Sequence, residues 1–151
     1  MRHRSALKRK ISALAFAVFL LFFMALPALS EEAAITQLSD TTFQETSNKR
    51  TWHLQRSKRF KTADDAISYL ENLNQGEFND WRLPTKKELF ELFSIFDLKQ
   101  HGTVKIRMEG TYWLTDNKRK IYAGAWEIGD QCGPSRTFYT GKAGYVRAVR
   151  Q

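Results

Sequence analysis

Few side chains in this sequence have the types and spacing that catalysis requires. A hydrolase needs a nucleophile, a neighbouring base and an orienting acid. Beyond the first thirty residues His53 and His101 are the only imidazole bases, and neither lies in a recognisable motif. We expect His53 on the exposed side of a strand, so the sequence predicts no catalytic residue.

The single cysteine, Cys132, limits the redox and metal chemistry of the chain. It excludes an internal disulfide and a metal site built from several cysteines. A lone thiol can pair with a second chain or pack as a small apolar side chain, and both roles stay open. Oxygen-bearing side chains at residues 64–65 and 116–117 would suit calcium, but capping and turn roles explain them as well. We therefore predict no cofactor, with calcium as the alternative.

Basic side chains without a predicted structural role are the best candidates for a binding surface. They lie in two stretches, residues 49–61, which contain no acid, and the turn that follows residue 115. If both stretches lie on one side of the domain, they form a cationic patch for sulfated or carboxylated glycans. The alternative is a solvated face, which charge runs usually mark. The candidate residues are Arg50, Arg56, Lys58, Arg59, Lys118, Arg119 and Lys120.

The first thirty residues have the pattern of a secretory signal peptide. Five bases and no acid precede an apolar run from Ile11 to Leu26, and small residues follow Pro27. We predict cleavage after Ser30, with an uncleaved membrane anchor as the alternative. Loss of the five bases lowers the formal net charge from +8 to +3, which removes most support for a nucleic-acid partner. The mature protein is therefore expected to be exported, either periplasmic, surface-associated or secreted.

The remaining chain is predicted to form an acidic linker or arm at residues 31–48 and one globular domain at residues 49–151. Alternation around Trp52 predicts a strand, and helical spacing predicts helices at residues 63–74 and 86–96. Residues 100–108 are a weak strand or a loop. Further strands are predicted at residues 110–115, 121–128, 136–139 and 145–150. The class is α+β, with two helices on a mostly antiparallel sheet and the terminal strands adjacent.

The junction before the second helix contains the strongest local signals. Pro84 favours an extended residue before it, and Thr85 with Glu88 forms a capping box that starts the helix at residue 86. We expect the Arg82 guanidinium to reach a carboxylate or carbonyl groups near the helix start. Arg147 is predicted to play a similar role from the last strand. Four tryptophans could form a platform for sugar rings, but at least three are predicted to be buried in the core.

These motifs together resemble the Lcl-C family, which is named for the C-terminal domain of a bacterial collagen-like adhesin. The resemblance covers about residues 49–150. It rests on the Trp52 strand, the helix ending in Leu-Asn, the Asp-Trp-Arg-Leu-Pro-Thr segment at residues 80–85, Gly-Thr-Tyr-Trp at residues 110–113 and the segment at residues 145–150. Among the residues assigned to the shared structural motif are Trp52, Trp81, Arg82, Pro84, Thr85, Glu88, Trp113, Trp126 and Arg147.

The resemblance implies an exported bacterial domain with a C-type-lectin-like fold and, from the adhesin, binding of sulfated glycosaminoglycans. This chain departs from the pattern because it has no collagen-like repeat and has Leu-Thr-Asp at residues 114–116 in place of a serine and threonine run. The calcium-dependent sugar motifs of true C-type lectins are not recognisable. The segment at residues 82–85 also resembles formylglycine-generating enzymes, which share the lectin-like fold, but that chemistry needs two cysteines.

Three functions follow from these observations. The first is a non-enzymatic binding module of the cell envelope that recognises an anionic polysaccharide. The second is a periplasmic protein-interaction or assembly subunit with an envelope protein as its partner. The third and least supported is an oxidase related to the formylglycine-generating enzymes, which would bind copper.

Overall fold

The structure is a computed structural model and describes residues 33–128 and 136–151. The predictions for the signal peptide and for Cys132 concern residues outside this range. Within the described part, no helix has the length and apolar character needed to cross a membrane. The elements are β1 (Ile35–Gln37), β2 (Thr42–Glu45), β3 (Thr51–His53), α1 (Ala63–Leu73), α2 (Lys86–Asp97), β4 (Tyr112–Thr115), β5 (Ile121–Ile128), β6 (Arg136–Gly141) and β7 (Val149–Arg150).

The strands form two antiparallel sheets and not the single sheet that was predicted. One sheet has the strand order β1-β2-β3-β7, and the other has the order β4-β5-β6. Isolated bridges link β4 to neighbouring segments, from Tyr112 to Tyr145 and from Thr115 to Thr85. The α+β class is confirmed, whereas the lectin-like topology stays a prediction.

The predicted linker or arm at residues 31–48 is wrong for its described part, residues 33–48. Ile35 of β1 is 2% exposed, and Phe43 of β2 is fully buried opposite Trp52 of β3. The polar composition of this stretch suggested exposure to solvent, but the polar residues Thr42 and Glu45 are buried as well. The folded unit therefore begins near residue 33, and its first two strands complete one of the sheets.

The chain returns at its end to the strand that contains Trp52, as predicted. β7 pairs with β3 in antiparallel register, and Val149 lies opposite Trp52. β3 is not the first strand of the fold, however, because β1 and β2 precede it. β1 and β7 form the two edges of this sheet. The predicted adjacency is thus confirmed for β3 and β7 but does not extend to the true N-terminal strand.

Each helix has its own hydrophobic cluster, and β4 contributes to both. Leu89, Leu92, Phe93 and Phe96 of α2 pack with the first sheet and with Tyr112 and Leu114. Ala66 and Leu70 of α1 pack with Trp81 and with Trp113, which lies on the other side of β4. This division follows from the alternation of side chains along a strand. Trp52, Trp81 and Trp113 are buried, which confirms the predicted core role of at least three tryptophans.

The junction before α2 has the predicted capping box. Thr85 Oγ1 accepts a hydrogen bond of 3.2 Å from the backbone N–H of Glu88, and Glu88 Oε2 accepts one of 2.8 Å from that of Thr85. The Arg82 guanidinium donates to both Glu88 carboxylate oxygens, at 2.9 and 2.7 Å. The structural role predicted for Arg82 is confirmed, and a charged pair fixes the start of the helix.

The ionised Glu88 carboxylate makes the fold sensitive to acid. Burial raises its pKa, but the hydrogen bonds from Arg82 and Thr85 lower it by more, so that it lies at about 2 instead of the ordinary 4.5. A carboxylate whose pKa is lower in the folded than in the unfolded state stabilises the fold at pH values above the unfolded-state pKa. This stabilisation is lost as the pH falls from about 5 to about 2. It amounts to at most about 3 kcal/mol, because solvent reaches the 40% exposed Arg82 side chain.

We therefore expect Glu88→Gln to flatten the dependence of stability on pH in this window. Urea denaturation followed by circular dichroism at pH 7, 4 and 3 measures the effect. Glu71→Gln is the control, because Glu71 is exposed on α1. An unchanged acid dependence in Glu88→Gln would show that this pair does not set the acid limit.

Candidate functional site

The two histidines of the described chain are not arranged for catalysis. His53 Nδ1 lies 2.9 Å from the carbonyl oxygen of Gln55, and its ring is half-buried against the edge of Trp81 rather than exposed as predicted. His101 Nδ1 lies 2.9 Å from the carbonyl oxygen of Val104. Within the described residues neither ring nitrogen bonds to a hydroxyl or a carboxylate.

The acidic pairs considered for calcium have the capping and turn roles that the sequence suggested. The backbone N–H of Asp65 donates to Thr62 Oγ1 at the start of α1, at 3.2 Å. Asp116 Oδ1 accepts from the backbone N–H groups of Lys118 and Lys120, both at 2.8 Å. Across residues 33–128 and 136–151, no three His, Cys, Asp or Glu side chains are grouped to hold a metal ion.

Arg50 does not belong to a binding surface, so this candidate was wrong. Its side chain is 8% exposed, and its Nη2 atom lies 2.8 Å from Glu45 Oε2 and 2.7 Å from Glu91 Oε2. Burial lowers its pKa, but the bonds to these carboxylates more than offset this, and the pKa lies above its usual range. Arg50 is required inside the fold because Glu45, from the stretch predicted to be a loose arm, is itself buried.

The other predicted basic residues lie near the surface but do not share a cavity. Lys58, Arg59 and the turn residues at 118–120 are exposed, and Arg56 is half-buried. Arg56 lines one cleft, whereas Arg119 lines a second cavity of about 320 Å³ beside α1 and β5. A patch that joins both stretches stays a prediction, and of the seven candidates Arg56 lies in the larger cleft.

The larger cleft has a volume of about 700 Å³ and a basic lining. Two segments, residues 54–57 and 105–107, line it together with residues from the end of the chain. None of its four bases lies within 4 Å of a carboxylate in the described part of the chain. The residues of this cationic cleft are Leu54, Gln55, Arg56, Ser57, Lys105, Ile106, Arg107, Tyr145 and Arg147.

Arg56 is held in place by neutral partners. Its guanidinium lies 3.8 Å from the centre of the Tyr145 ring, a favourable cation–π contact. Its Nη1 atom donates to the Tyr112 hydroxyl at 3.2 Å and to the Glu109 carbonyl oxygen. These contacts orient the charge without neutralising it, so Arg56 remains available to an anion.

Arg147 lies beneath the cleft and connects its two sides. The residue is fully buried, and its Nη1 and Nη2 atoms each donate at 2.7 Å, to the carbonyl oxygens of Leu54 and Arg107. Arg147 thus bonds to carbonyl groups, but these belong to the two cleft segments and not to the start of α2. Its Nε–H has no acceptor within the described residues, and burial lowers its pKa. A buried cation without a carboxylate partner is costly, and an anion above it would reduce that cost.

The loop that contains Lys105 and Arg107 is fixed through its backbone. The Arg107 carbonyl oxygen accepts from Arg147 Nη2 and also from the Tyr112 hydroxyl, at 2.8 Å. The side chains of Lys105 and Arg107 are exposed. The backbone of the loop is therefore held while its two charges stay free.

Sequence reasoning missed Lys105 and Arg107 as candidate binding residues. The signal was the alternation of apolar Val104 and Ile106 with basic Lys105 and Arg107. It predicted a weak strand or loop, but the two bases were not considered as binding residues. In the structure Val104 is buried and Ile106 is half-buried, so the bases between and after them face solvent. Their place in one cleft with Arg56 depends on contacts distant in sequence, which alternation alone does not predict.

These features describe an exposed cationic site on an α+β domain that has no catalytic constellation in its described part. A model of the Lcl C-terminal domain family matches residues 30–150, and the chain belongs to that family. The resemblance noted in the sequence is thereby confirmed. The match begins near residue 30 and not at residue 49, in agreement with the folded strands β1 and β2. No curated protein and no solved structure gives a significant match.

Proposed function

We propose that this protein is an exported, non-enzymatic binding module of the bacterial cell envelope and that it recognises an anionic polysaccharide. The observation that carries the proposal is the cationic cleft, which has four bases and no acidic side chain among the described residues that line it. Family membership supports an adhesin-like role, and the pattern of residues 1–30 supports export.

The chemistry of the cleft suits sulfate and carboxylate groups. Guanidinium groups bind such oxyanions through paired, charge-assisted hydrogen bonds, and an ammonium group adds a mobile donor. A cleft lined by one sign of charge also concentrates the opposite charge within it. Lys58 and Arg59 follow the cleft segment directly in sequence and are exposed, so two further bases near the cleft in sequence are accessible to an anion.

A protein partner in the envelope is the alternative, and its support is weaker. The large apolar side chains that are exposed in the described chain are Leu38, Leu98 and Tyr139, each 51 to 55% exposed. Leu38 follows β1, Leu98 is the C-cap residue after α2 and Tyr139 lies on β6. Single exposed apolar residues are normal on protein surfaces.

Heparin affinity chromatography of the purified protein tests the proposal. We expect the protein to be retained at low salt and to elute as the salt concentration rises, because charge pairing is screened. The double variant Lys105→Ala with Arg107→Ala should elute at clearly lower salt. The matched control, Lys118→Ala with Lys120→Ala, also removes two exposed bases but from the turn outside the cleft.

The control should elute close to the wild-type protein. Flow-through of the wild-type protein at low salt would contradict the proposal. A larger loss in the control would move the binding surface to the turn at residues 118–120.

A further inference from the structure

We infer that the second cavity of the domain binds a small zwitterion with an apolar side chain, either an apolar amino acid or a short apolar peptide. This cavity has a volume of about 320 Å³ and shares no lining residue with the cationic cleft. One face of α1 lines it, together with residues 81–83 and residues around the turn between β4 and β5. We call it the α1 cavity, and the inference does not depend on the proposed function.

Much of the lining of the α1 cavity is apolar. Leu70, Trp81 and Leu83 are buried members of the hydrophobic cluster around α1, and each still forms part of the cavity wall. Ile67 lies one turn before Leu70 on the same face of the helix, is half-buried and belongs to neither hydrophobic cluster. An apolar group in the cavity would remove this surface from water, which is favourable in proportion to the area covered.

Two polar side chains of the lining already have partners inside the fold. The Asn74 side chain donates to the carbonyl oxygen of Trp81 at 3.0 Å and accepts from the backbone N–H of Trp81 at 2.7 Å. The Arg82 guanidinium is bound to both oxygens of the Glu88 carboxylate. These bonds hold the wall in place, so recognition of a ligand depends on the other polar side chains.

Two opposite charges and a hydroxyl group remain. Glu71 comes from α1 and Arg119 from the turn, and both side chains are exposed. Within the described residues neither of them lies within 4 Å of an oppositely charged group. The Thr115 hydroxyl donates only to the Asp116 carbonyl oxygen, at 3.4 Å, which is long for a hydrogen bond. The cavity therefore offers a carboxylate, a guanidinium and a hydroxyl to a ligand.

This set of groups is complementary to an ammonium and a carboxylate on one molecule. The Glu71 carboxylate can accept from an ammonium, and the Arg119 guanidinium can donate two parallel hydrogen bonds to a carboxylate. An anion without an ammonium would place its charge near that of Glu71, and a cation without a carboxylate would do the same near Arg119. A zwitterion balances both charges while its apolar side chain covers the apolar wall.

The backbone at Arg119 provides a variant that removes the guanidinium but keeps the turn. Arg119 has a φ of 63°, in the left-handed region that residues other than glycine adopt at a cost. The Asp116 carboxylate holds the turn through the backbone N–H groups of Lys118 and Lys120. The conformation of the turn therefore does not require an arginine, and Arg119→Gly should fold normally.

An NMR titration of the purified protein with L-leucine and L-phenylalanine, followed through the backbone amide signals, tests the inference. We expect saturable shifts at residues 67–74, 81–83 and 115–121. Isocaproate lacks the ammonium of leucine and isoamylamine lacks its carboxylate, so each should bind at least about tenfold more weakly than leucine. Glycine has no apolar side chain and should not bind measurably.

Leucyl-leucine, in which the two charges lie farther apart, distinguishes the two sources of the ligand. Tighter binding than that of leucine would support a peptide, and weaker binding would support a free amino acid.

Variants locate the two charges. Glu71→Gln and Arg119→Gly should each weaken leucine binding by at least about tenfold. The matched controls Glu77→Gln and Arg59→Gln remove exposed charges outside the cavity and should stay within about twofold of the wild-type protein.

Absence of saturable shifts with both amino acids would overturn the inference. Isocaproate or isoamylamine binding as tightly as leucine would overturn the requirement for a zwitterion. Equal losses in the cavity variants and their controls would show that the ligand does not bind between Glu71 and Arg119.

Discussion

Replacement of Arg50 by methionine is expected to lower the free energy of unfolding by about 3 to 5 kcal/mol, the usual cost of breaking a buried ion pair. Its partner Glu45 is 1% exposed and would keep a buried charge without its guanidinium. Asn48 Nδ2 and Trp52 Nε1 still donate to Glu45, at 2.6 and 2.5 Å, but neither carries a positive charge. Urea denaturation followed by circular dichroism at pH 7 measures the loss.

Lys87→Ala is the matched control for this prediction. Lys87 also pairs with Glu91, at 3.6 Å, but its side chain is 84% exposed, so its loss should cost less than about 1 kcal/mol. Addition of Glu45→Gln to Arg50→Met should restore part of the stability, because an amide carries no charge to be neutralised. Equal stability of Arg50→Met and Lys87→Ala would show that burial of the Glu45 charge does not need the Arg50 guanidinium.

Truncation of Trp52 to alanine is the second large effect, with an expected loss of about 3 to 5 kcal/mol. The Trp52 side chain is fully buried in the cluster that joins α2 to the first sheet. Its backbone lies between β2 and β7, where Phe43 and Val149 are its register partners. The substitution therefore leaves a cavity at the centre of the four-stranded sheet and removes a donor from Glu45.

The same substitution at Trp126 is the control. Trp126 lies on β5 of the other sheet and is half-buried between Phe90 and Phe138, with ring centres 4.8 and 5.0 Å away. Surrounding side chains and solvent can partly fill the space that it leaves, so Trp126→Ala should cost about half as much. A larger loss at Trp126 than at Trp52 would mean that the second sheet, and not the first, limits stability. Urea unfolding midpoints of the two variants provide the comparison.

The parts of the fold that depend on neighbouring residues were predictable from the sequence. The capping box of Thr85 and Glu88 places the start of α2 at the residue predicted, and helical spacing gives the end of α1 to within one residue. Both signals act within one or two turns of a helix, where the chemistry is local. The pairing of β3 with β7 was also predicted, because an apolar terminal segment needs cover.

The errors arose where pairing between separate elements decides the structure. The acidic composition of residues 31–48 indicated a linker, but Phe43 is covered by the opposing strand and Glu45 is neutralised by Arg50. Arg50 was taken for a surface base for the same reason, since its partner Glu91 lies 41 residues away on α2. The composition of one stretch does not show which strand or helix will cover it.

The candidate site shows the same division. Arg56 was recognised as a base without a structural role, and Arg147 as a structural arginine of the last segment. Their joint position in one cleft depends on the bond from Arg147 to the Arg107 carbonyl oxygen, 40 residues away in the chain. The fold thus uses a buried cation to hold two surface segments together, and the same cation adds to the positive charge of the cleft.

The central claim is that the cationic cleft, and not the turn at residues 118–120, is the anion-binding site. The difference in the salt concentration at which the two double variants elute from heparin tests this most directly, because each variant removes two exposed bases. Lys105→Ala with Arg107→Ala is expected to elute well before the wild-type protein, while Lys118→Ala with Lys120→Ala is expected to elute beside it. Equal shifts of the two variants, or a larger shift of the turn variant, would contradict the account.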